Sequence, residues 1–246
     1  MSSRYAIYFS PADNSDLGMF GNTVLRRTAC SYEEWENAAM PVRFADQAMW
    51  RKLITKPAHY GFHATIKAPF ELASNTIEAN FITTLKQFAA TQAPISLAGL
   101  QPKRTQRYLA LAFNSDQPIE LKILAGQCVD LFEPFRAPLS EFDIKRRRET
   151  PLSNSQDAYL ETYGYPYVHD EFNFHMTLSG AKLTNKRYFA WITDLYQTMV
   201  RDPGTLDRLC IFHQPDRGTP FVRLHEFVFQ SDAQTVIEPD GLTVNQ

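Results

Sequence analysis

The sequence predicts an α+β protein of two similar lobes, each an antiparallel sheet flanked by helices, with a central cleft between them. The main observation is an internal repeat. Strand, helix, strand and strand follow one another from residue 62 to 113 and again from 172 to 230. His63 and His175 hold equivalent places in the two copies, 112 residues apart. The same offset carries Pro94–Ile95 onto Leu206–Asp207, at the start of the matching strand, so we expect a pseudo-two-fold axis.

Strand and helix patterns in the first half alternate with polar loops. Residues Arg4–Ser10 show the period-two alternation of a half-buried strand, and Thr76–Thr91 shows the apolar spacing of an amphipathic helix. The other predicted elements are a loop through Asn22, short helices at Ser31–Ala39 and Asp46–Leu53, strands at Phe62–Phe70, Ile95–Leu100 and Tyr108–Phe113, and a loop at Gln101–Gln106.

The second half repeats this order after a helical region. Helices are predicted at Ile119–Phe132, Ser140–Glu149 and Ser155–Thr162. The second copy has a strand at Phe172–Ser179, a helix at Asn185–Arg201, and strands at Leu206–Phe212 and Phe221–Gln230. We expect one bilobal domain over residues 1–230, with lobe one at about 1–115, a helical insert at about 116–165, lobe two at about 166–230, and a flexible tail at 231–246.

Bulk composition excludes several classes of function. The 246 residues carry a formal charge of −2, whereas proteins that bind long nucleic acids normally carry a basic excess. Cys30, Cys128 and Cys210 form no Cys-x-x-Cys pair, so we expect no metal site, no cofactor and no disulfide framework. The N-terminus lacks a secretion signal, and no window approaches the roughly 18 apolar residues of a membrane span. These features indicate a cytoplasmic protein that does not enter a membrane.

Two matched segments carry the residues suited to chemistry. Phe62-His63-Ala64-Thr65-Ile66 and Phe174-His175-Met176-Thr177-Leu178 share one pattern, aromatic, histidine, apolar, threonine, aliphatic. Side chains alternate along a strand, so each histidine and its threonine point to one face while the apolar residues point to the core. If the lobes are related by a two-fold axis, two imidazoles and two hydroxyls meet in one cleft.

This set of groups suits the chemistry of a phosphodiester. One imidazole removes a proton from the attacking oxygen and the other protonates the leaving oxygen, because histidine titrates near neutral pH. Threonine hydroxyls donate to the non-bridging oxygens as negative charge builds up. The scheme requires no metal ion. The sequence contains no Gly-x-x-x-x-Gly-Lys-Ser/Thr loop, Gly-x-Gly-x-x-Gly turn or Gly-x-Ser-x-Gly elbow, which disfavours P-loop, Rossmann and serine-hydrolase classes.

The paired motifs resemble those of the two-histidine (2H) phosphoesterase superfamily. Segments Arg4–Phe9, Tyr60–Phe70 and Gly164–Gly180 are similar to a bacterial branch associated with phosphonate metabolism and with carbon–phosphorus lyase genes. The resemblance implies a bilobal fold and a small phosphoester substrate. It also implies acid and base roles for His63 and His175, in an unassigned order, and phosphate-binding roles for Thr65 and Thr177.

Further residues are candidates for substrate binding. Lys67 follows Thr65 on the same predicted strand face, so we expect it to contact the phosphate; Ser179 is its counterpart in the second copy. Tyr60 and Tyr165 are expected to form walls for a sugar or a base. The basic run Lys145–Arg148 lies on a predicted helix beside acidic residues, which is typical of a solvated face.

The sequence therefore predicts a phosphoric diester hydrolase. The expected reaction is metal-independent hydrolysis or transesterification of a small cyclic phosphodiester, such as a ribose cyclic phosphate in phosphonate metabolism. One alternative is a 2′,3′-cyclic phosphodiesterase acting on RNA ends, which the net acidity disfavours. A second alternative is a protein that binds a phosphorylated metabolite without turning it over.

Overall fold

The computed structural model of the chain describes residues 3–33, 47–105, 108–180 and 186–230. Within them the helices are α1 (Asp16–Leu25), α2 (Gln47–Tyr60), α3 (Glu78–Ala90), α4 (Ile119–Leu131), α5 (Glu141–Arg148), α6 (Asn154–Tyr163) and α7 (Lys186–Met199). The strands are β1 (Arg4–Phe9), β2 (Ala64–Phe70), β3 (Ile95–Ser96), β4 (Leu100–Arg104), β5 (Leu109–Phe113), β6 (His175–Thr177), β7 (Thr205–Leu206), β8 (Arg208–Gln214) and β9 (Val222–Val228). Most of the helix predicted at Ser31–Ala39, and the tail predicted at 231–246, lie outside the described residues.

Seven of these strands form one antiparallel sheet in the order β4-β5-β6-β2-β1-β8-β9, and β3 pairs with β7. The prediction of an α+β chain with an antiparallel sheet flanked by helices is confirmed. The prediction of a separate sheet in each lobe is wrong, because Ala64 of β2 pairs with Met176 of β6 and joins the two halves. Periodicity shows which residues form a strand, but it does not show which strand becomes the neighbour.

The two copies of the repeat exchange strands within the large sheet. Strand β6 of the second copy pairs with β5 of the first, with Leu111 opposite Met176. Strand β2 of the first copy pairs with β1, which in turn pairs with β8 of the second copy. In the small sheet Ile95 lies opposite Leu206, two positions that the 112-residue offset brings nearly into register. The exchange places the two histidine motifs side by side near the centre of the large sheet.

The central strands bury one face, as the sequence predicts. The apolar residues of both motifs lie in the main hydrophobic core: Phe62, Ala64, Ile66, Phe174, Met176 and Leu178. A smaller apolar cluster includes Tyr8, Phe212 and Phe221. Among the described residues, no helix is both long enough and apolar enough to traverse a bilayer.

Helix α1 replaces part of the loop predicted through Asn22. Ser15 caps the helix, because its Oγ accepts a hydrogen bond from the backbone N–H of Gly18 at 3.0 Å. Glycines at positions 18 and 21 give this segment a weak helix propensity. Burial of one apolar face outweighs that cost, with fully packed side chains at Leu17, Phe20 and Val24.

Strand β4 occupies most of the loop predicted at Gln101–Gln106. It is an edge strand of the large sheet and pairs only with β5 among the described strands. Polar side chains and Pro102 hide its strand character in the sequence, yet both are compatible with an edge. The polar pattern therefore reflects the exposed position of an edge strand, and it does not indicate a loop.

Candidate active site

The antiparallel pairing of β2 with β6 brings together the four motif side chains, His63, Thr65, His175 and Thr177. Ala64 lies opposite Met176, so one step along each strand places each histidine across from the threonine of the other motif. All four residues are partly exposed, whereas the paired Ala64 and Met176 are buried on the other face. Two imidazoles and two hydroxyls therefore share one face of a single sheet.

A cleft covers this face, and it has two adjoining parts. The first, which we call the arginine pocket, has a volume of about 530 Å³ and contains His63, Thr65 and Thr177. The second, the aromatic pocket, is of similar size and contains Thr65 and His175. Both parts are lined by Thr65, Tyr108 and Tyr165. One small molecule can therefore reach both motifs.

The two imidazoles are oriented in the same way. Nδ1 of His63 lies 2.9 Å from the carbonyl oxygen of Gly61, and Nδ1 of His175 lies 2.8 Å from that of Asn173. A carbonyl only accepts, so each Nδ1 carries the proton and donates it. Gly61, with φ at +76°, follows the end of α2 and turns the chain toward β2, which aims its carbonyl at the ring. In both residues Nε2 is consequently the atom that titrates.

A tyrosine from the neighbouring strand stacks on each imidazole. The Tyr8 ring of β1 lies 3.8 Å from the His63 ring at an interplanar angle of 21°. Tyr108, next to β5, lies 5.5 Å from the His175 ring at 28°. Stacking fixes the ring planes, so the two half-sites match in their hydrogen bonds and in their packing. Sequence reasoning missed both tyrosines, since only strand pairing places them beside the histidines.

Burial keeps both histidines neutral. Burial lowers the pKa of His63 to about 4, and His175 and Arg27 lower it further by charge repulsion. Burial also lowers the pKa of His175. The hydrogen bonds to the Gly61 and Asn173 carbonyls oppose these shifts without cancelling them. At neutral pH each Nε2 therefore presents a lone pair to the cleft and can act as a base. Each Nε2 can also bind a proton when an anion enters the cleft.

We expect Nε2 of His63 to titrate near pH 4 and not near 6.5. Between these values the unfolded chain holds more protons at this residue, so the free energy of unfolding should fall as the pH is lowered from 6.5 toward 4. A ¹⁵N NMR titration, with His63→Gln to assign the signal, measures the pKa and the Nδ1–H tautomer. A midpoint at the ordinary histidine pKa would contradict the burial argument.

Threonine and serine hydroxyls complete the polar face. The Thr65 Oγ1 lies 3.3 Å from Nε2 of His63. At this separation, one oxygen atom of a bound ligand would contact both groups. Thr177 lines the arginine pocket beside His63. Ser179 also lines this pocket, but its Oγ accepts a hydrogen bond from the backbone N–H of Leu109 at 3.0 Å. Ser179 thus ties β6 to β5 in addition to facing the cleft.

Lys67 does not lie where the sequence places it. Tyr8 pairs with Thr65 and Ile7 pairs with Lys67, so β2 has one extra residue between these pairs. This β-bulge reverses the alternation, and Lys67 turns to the face of the buried Ile7. Its Nζ donates to Glu133 Oε2 at 3.0 Å and to the Val129 carbonyl at 3.1 Å. The expected contact of Lys67 with the phosphate is therefore corrected: the residue forms a buried ion pair outside both pockets.

Tyr60 and Tyr165 do line the cleft. The Tyr60 ring stacks on Phe221 at 5.2 Å and lies 6.1 Å from the His63 ring. Tyr165 lines both pockets, and burial raises the pKa of its hydroxyl to about 12. Both side chains offer rigid aromatic surface to the cleft, which suits the wall of a sugar site.

Four basic side chains line the arginine pocket: Arg4, Lys56, Arg146 and Arg147. The sequence predicts a solvated face for Lys145–Arg148, and this agrees with the exposure of Lys145, Arg146 and Arg148 but not with Arg147, which is partly buried. Asp143 orients their helix, because it is buried and pairs with both Arg146 and Arg217. Its hydrogen bonds to Arg217 lower the pKa of the Asp143 carboxyl to about 2. Arg217 belongs to the connection between β8 and β9, so its pairing with Asp143 cannot be predicted from the sequence around Asp143.

Among the described residues, no three His, Cys, Asp or Glu side chains form a group suited to a metal ion. The polar atoms around the histidines are hydroxyls and guanidinium groups, which are hydrogen-bond donors to an anion. A phosphate oxygen at this place would meet donors on several sides.

The family model described as "Protein of unknown function (DUF1045)" matches residues 65–222, a range that begins at Thr65 of the first motif and includes the whole second motif. The chain belongs to the DUF1045 family. It is 30% identical over 249 residues to "Ribose 1,5-bisphosphate phosphokinase PhnN" of Janthinobacterium sp. (strain Marseille), covering 96% of this chain and 53% of that protein. It is 29% identical to the protein of the same name from Laribacter hongkongensis (strain HLHK9), covering 89% and 50%. The DUF1045 chain thus spans about half the length of these relatives.

These names correct one prediction from the sequence. A phosphokinase is a phosphotransferase, so the relatives contradict the predicted class of phosphoric diester hydrolase. The physical reason for the error is that paired histidines indicate proton transfer at a phosphate ester. They do not indicate which oxygen accepts the phosphorus.

Proposed function

We propose that this chain catalyses phosphoester transfer between oxygens of small ribose phosphates, in phosphonate metabolism, by acid–base catalysis without a metal ion. The observation that carries the proposal is the matched pair of Nε2 atoms on one face of the sheet. Each belongs to an imidazole that is fixed by a carbonyl and a stacked tyrosine. Pure binding of a phosphate would not require two groups that exchange protons.

The proposed reaction is a transesterification of a cyclic phosphodiester. His63 has the stronger bias toward the neutral form, so its Nε2 removes the proton of the attacking hydroxyl. The hydroxyl oxygen bonds to phosphorus, and the bond from phosphorus to one ester oxygen of the cyclic phosphate breaks. His175, protonated once the anion is bound, gives its Nε2 proton to the departing oxygen. His63 gains one proton and His175 loses one, so the step leaves the charge of the protein unchanged. Proton exchange with solvent then returns each histidine to its starting state.

Thr65 and Thr177 are proposed to bind the non-bridging oxygens. Each lies across from the histidine of the other motif, so a phosphate between the strands meets a hydroxyl and an imidazole on both sides. Donors that already point at the developing charge stabilise the transition state without reorganisation. We therefore assign phosphate binding to the threonines and proton transfer to the histidines.

The substrate class follows from three observations. The cleft is small, and Tyr60 and Tyr165 offer flat walls for a sugar ring. The relatives are named for ribose 1,5-bisphosphate. The paired motifs resemble a two-histidine phosphoesterase branch associated with phosphonate metabolism. The exchanged strands of the repeat fit the pseudo-two-fold arrangement of that superfamily, and we propose that the fold is of this type.

The test is turnover of ribose cyclic phosphates in EDTA, with glycerol as acceptor and ³¹P NMR as readout. We expect a new acyclic diester signal that depends on protein and on glycerol and is unaffected by the chelator. Products that all carry solvent ¹⁸O would show water as the acceptor and reject transfer. Loss of turnover in EDTA would reject the metal-free mechanism. Tight binding without any turnover would show a phosphometabolite-binding protein instead.

A further inference from the structure

We infer that the basic side of the arginine pocket, where Arg4, Lys56, Arg146 and Arg147 lie, is a second anion subsite, so that the substrate carries a phosphate monoester in addition to the phosphate held by the histidines and threonines. The inference rests on the proposed function for the identity of the first site. The inference adds a specificity site that binds a second phosphate group of the same small molecule.

The charges around the cleft are distributed unevenly. Arg4, Lys56, Arg146 and Arg147 line the arginine pocket, and none of its described lining residues is an aspartate or a glutamate. The aromatic pocket, by contrast, is lined by tyrosines and amides and contains one acid, Glu171, and no lysine or arginine among its described residues. The arginine pocket is therefore lined by cations alone among charged side chains, whereas the aromatic pocket has no cation among its described lining residues.

Arg147 is the central residue of the subsite. Its Nε is buried and has no hydrogen-bond partner among the described residues. Its guanidinium lies over the Tyr165 ring, 5.0 Å from the ring centre. A buried guanidinium normally pairs with an anion, because desolvation of a charge is costly. Burial is the main cause that lowers the pKa of Arg147; Arg146 lowers it further, while Tyr165, Asp143 and Tyr60 oppose the shift.

Arg4 adds a second fixed guanidinium. Its Nε and Nη2 both donate to Oε1 of Gln214, at 2.7 and 2.5 Å, and its guanidinium lies over Phe221. The partner is a neutral amide, so the charge of Arg4 is oriented but not neutralised. Burial lowers the pKa of Arg4, and repulsion from Arg217 and Arg146 lowers it further.

The carboxylate closest to this cluster is already engaged. Asp143 receives two bonds from Arg217, at 2.9 and 2.7 Å, and one from Arg146 at 3.0 Å. Arg217 also pairs with Glu71. Asp143 therefore holds Arg146 of α5 in place, and Arg4, Lys56 and Arg147 leave an excess of positive charge facing the pocket.

A phosphate monoester fits this arrangement best. It carries up to two negative charges and three acceptor oxygens, and guanidinium groups match its geometry with paired N–H donors. Tyr8 connects the two sites: its ring stacks on His63, and its buried hydroxyl lies in the field of Arg4 and Arg147.

The experiment compares two ribose cyclic phosphates that differ only by a second phosphate monoester. We expect wild type to prefer the doubly phosphorylated compound by roughly 10- to 100-fold in kcat/KM, the effect of losing one or two charged hydrogen bonds. Arg147→Met and Arg4→Gln should each reduce that ratio toward one. Both should act mainly on the doubly phosphorylated compound, because the second phosphate is the group that these residues are proposed to bind.

Arg148→Met is the matched control, because Arg148 pairs with Asp157 and Glu161 at the surface and lines neither pocket. It should keep the wild-type ratio. An unchanged ratio in both Arg147→Met and Arg4→Gln, or no preference in wild type, would overturn the inference. Thermal unfolding checks that each variant is folded, and two independent variants keep the test valid if one is not.

A binding arm separates this inference from the proposed function. Calorimetry with ribose 5-phosphate needs no turnover. If only the proposed reaction fails, binding is retained in His63→Gln and weakened in Arg147→Met. If only the subsite fails, Arg147→Met binds ribose 5-phosphate as tightly as wild type does, whatever the reaction.

Discussion

Replacing His63 or His175 by glutamine is expected to lower kcat for phosphoester transfer by roughly 10²- to 10⁴-fold each. Glutamine keeps a polar side chain of similar length and cannot exchange a proton. The loss should appear in kcat more than in KM, because the threonines and the basic side chains still bind the phosphates. The double variant should be little slower than either single variant, since the acid and the base act in one step.

His225→Gln is the control for this pair of variants. His225 lies on β9, packs against Phe227, and lines none of the pockets described for the cleft. It should transfer phosphate at the wild-type rate. Retention of kcat within tenfold by either His63→Gln or His175→Gln would show that the corresponding imidazole does not transfer a proton.

The four motif residues could be found from sequence because their signal is repeated. A single His-x-Thr segment has little weight, but two copies in equivalent strands each predict a buried face and a polar face. The alternation of Phe62, Ala64 and Ile66 with His63 and Thr65 was sufficient to separate core from cleft. Such a local pattern depends only on the pleat of a strand, so it survives without knowledge of the partners.

The position of the site within the sheet could not be read in the same way. Periodicity predicted two lobes that face each other, whereas β2 and β6 are neighbours in one sheet. Strand pairing depends on contacts between residues more than a hundred positions apart. Strand pairing also places Tyr8 and Tyr108, so the sequence alone does not identify them as site residues, although each stacks on a histidine.

The arginines illustrate a different limit. Four consecutive basic residues on a helix are usually solvated, and local sequence offers no reason to expect otherwise. The direction of α5 is set by Asp143, which is buried against Arg217 from the other end of the chain. A tertiary ion pair thus decides which helix face enters the cleft.

The bulge that removes Lys67 from the cleft leads to the second large effect. Lys67 is buried, and its ammonium group pairs with Glu133 at 3.0 Å. Removing one partner of a buried pair leaves an uncompensated charge, so Glu133→Ala should lower the free energy of unfolding by about 3 kcal/mol. For a chain of this size that corresponds to a fall in Tm of about 10 °C, which thermal unfolding measures.

Lys67→Met tests the same pair from the other side. Methionine fills a similar volume and needs no partner, while Glu133 keeps its ion pair with Arg136 at 2.5 Å. Replacement of a buried ionic group by an apolar one of similar volume is often neutral, so we expect a change within about 1.5 kcal/mol. The double variant should recover the part of the stability that Glu133→Ala loses at Lys67, whereas the loss at Arg136, which also pairs with Glu133, should remain.

Measurements of activity distinguish the two possible roles of Lys67, phosphate binding and a buried ion pair. A lysine that binds the phosphate would be required for transfer, and Lys67→Met would then lose activity although the fold remains intact. The structure instead directs its Nζ to Glu133 and to the Val129 carbonyl, on the far side of the bulge from Thr65. Lys67→Met should therefore retain wild-type kcat and KM, in contrast to His63→Gln on the same stretch of chain. Strand alternation alone would predict the opposite result, and the bulge between Thr65 and Lys67 is the reason for the difference.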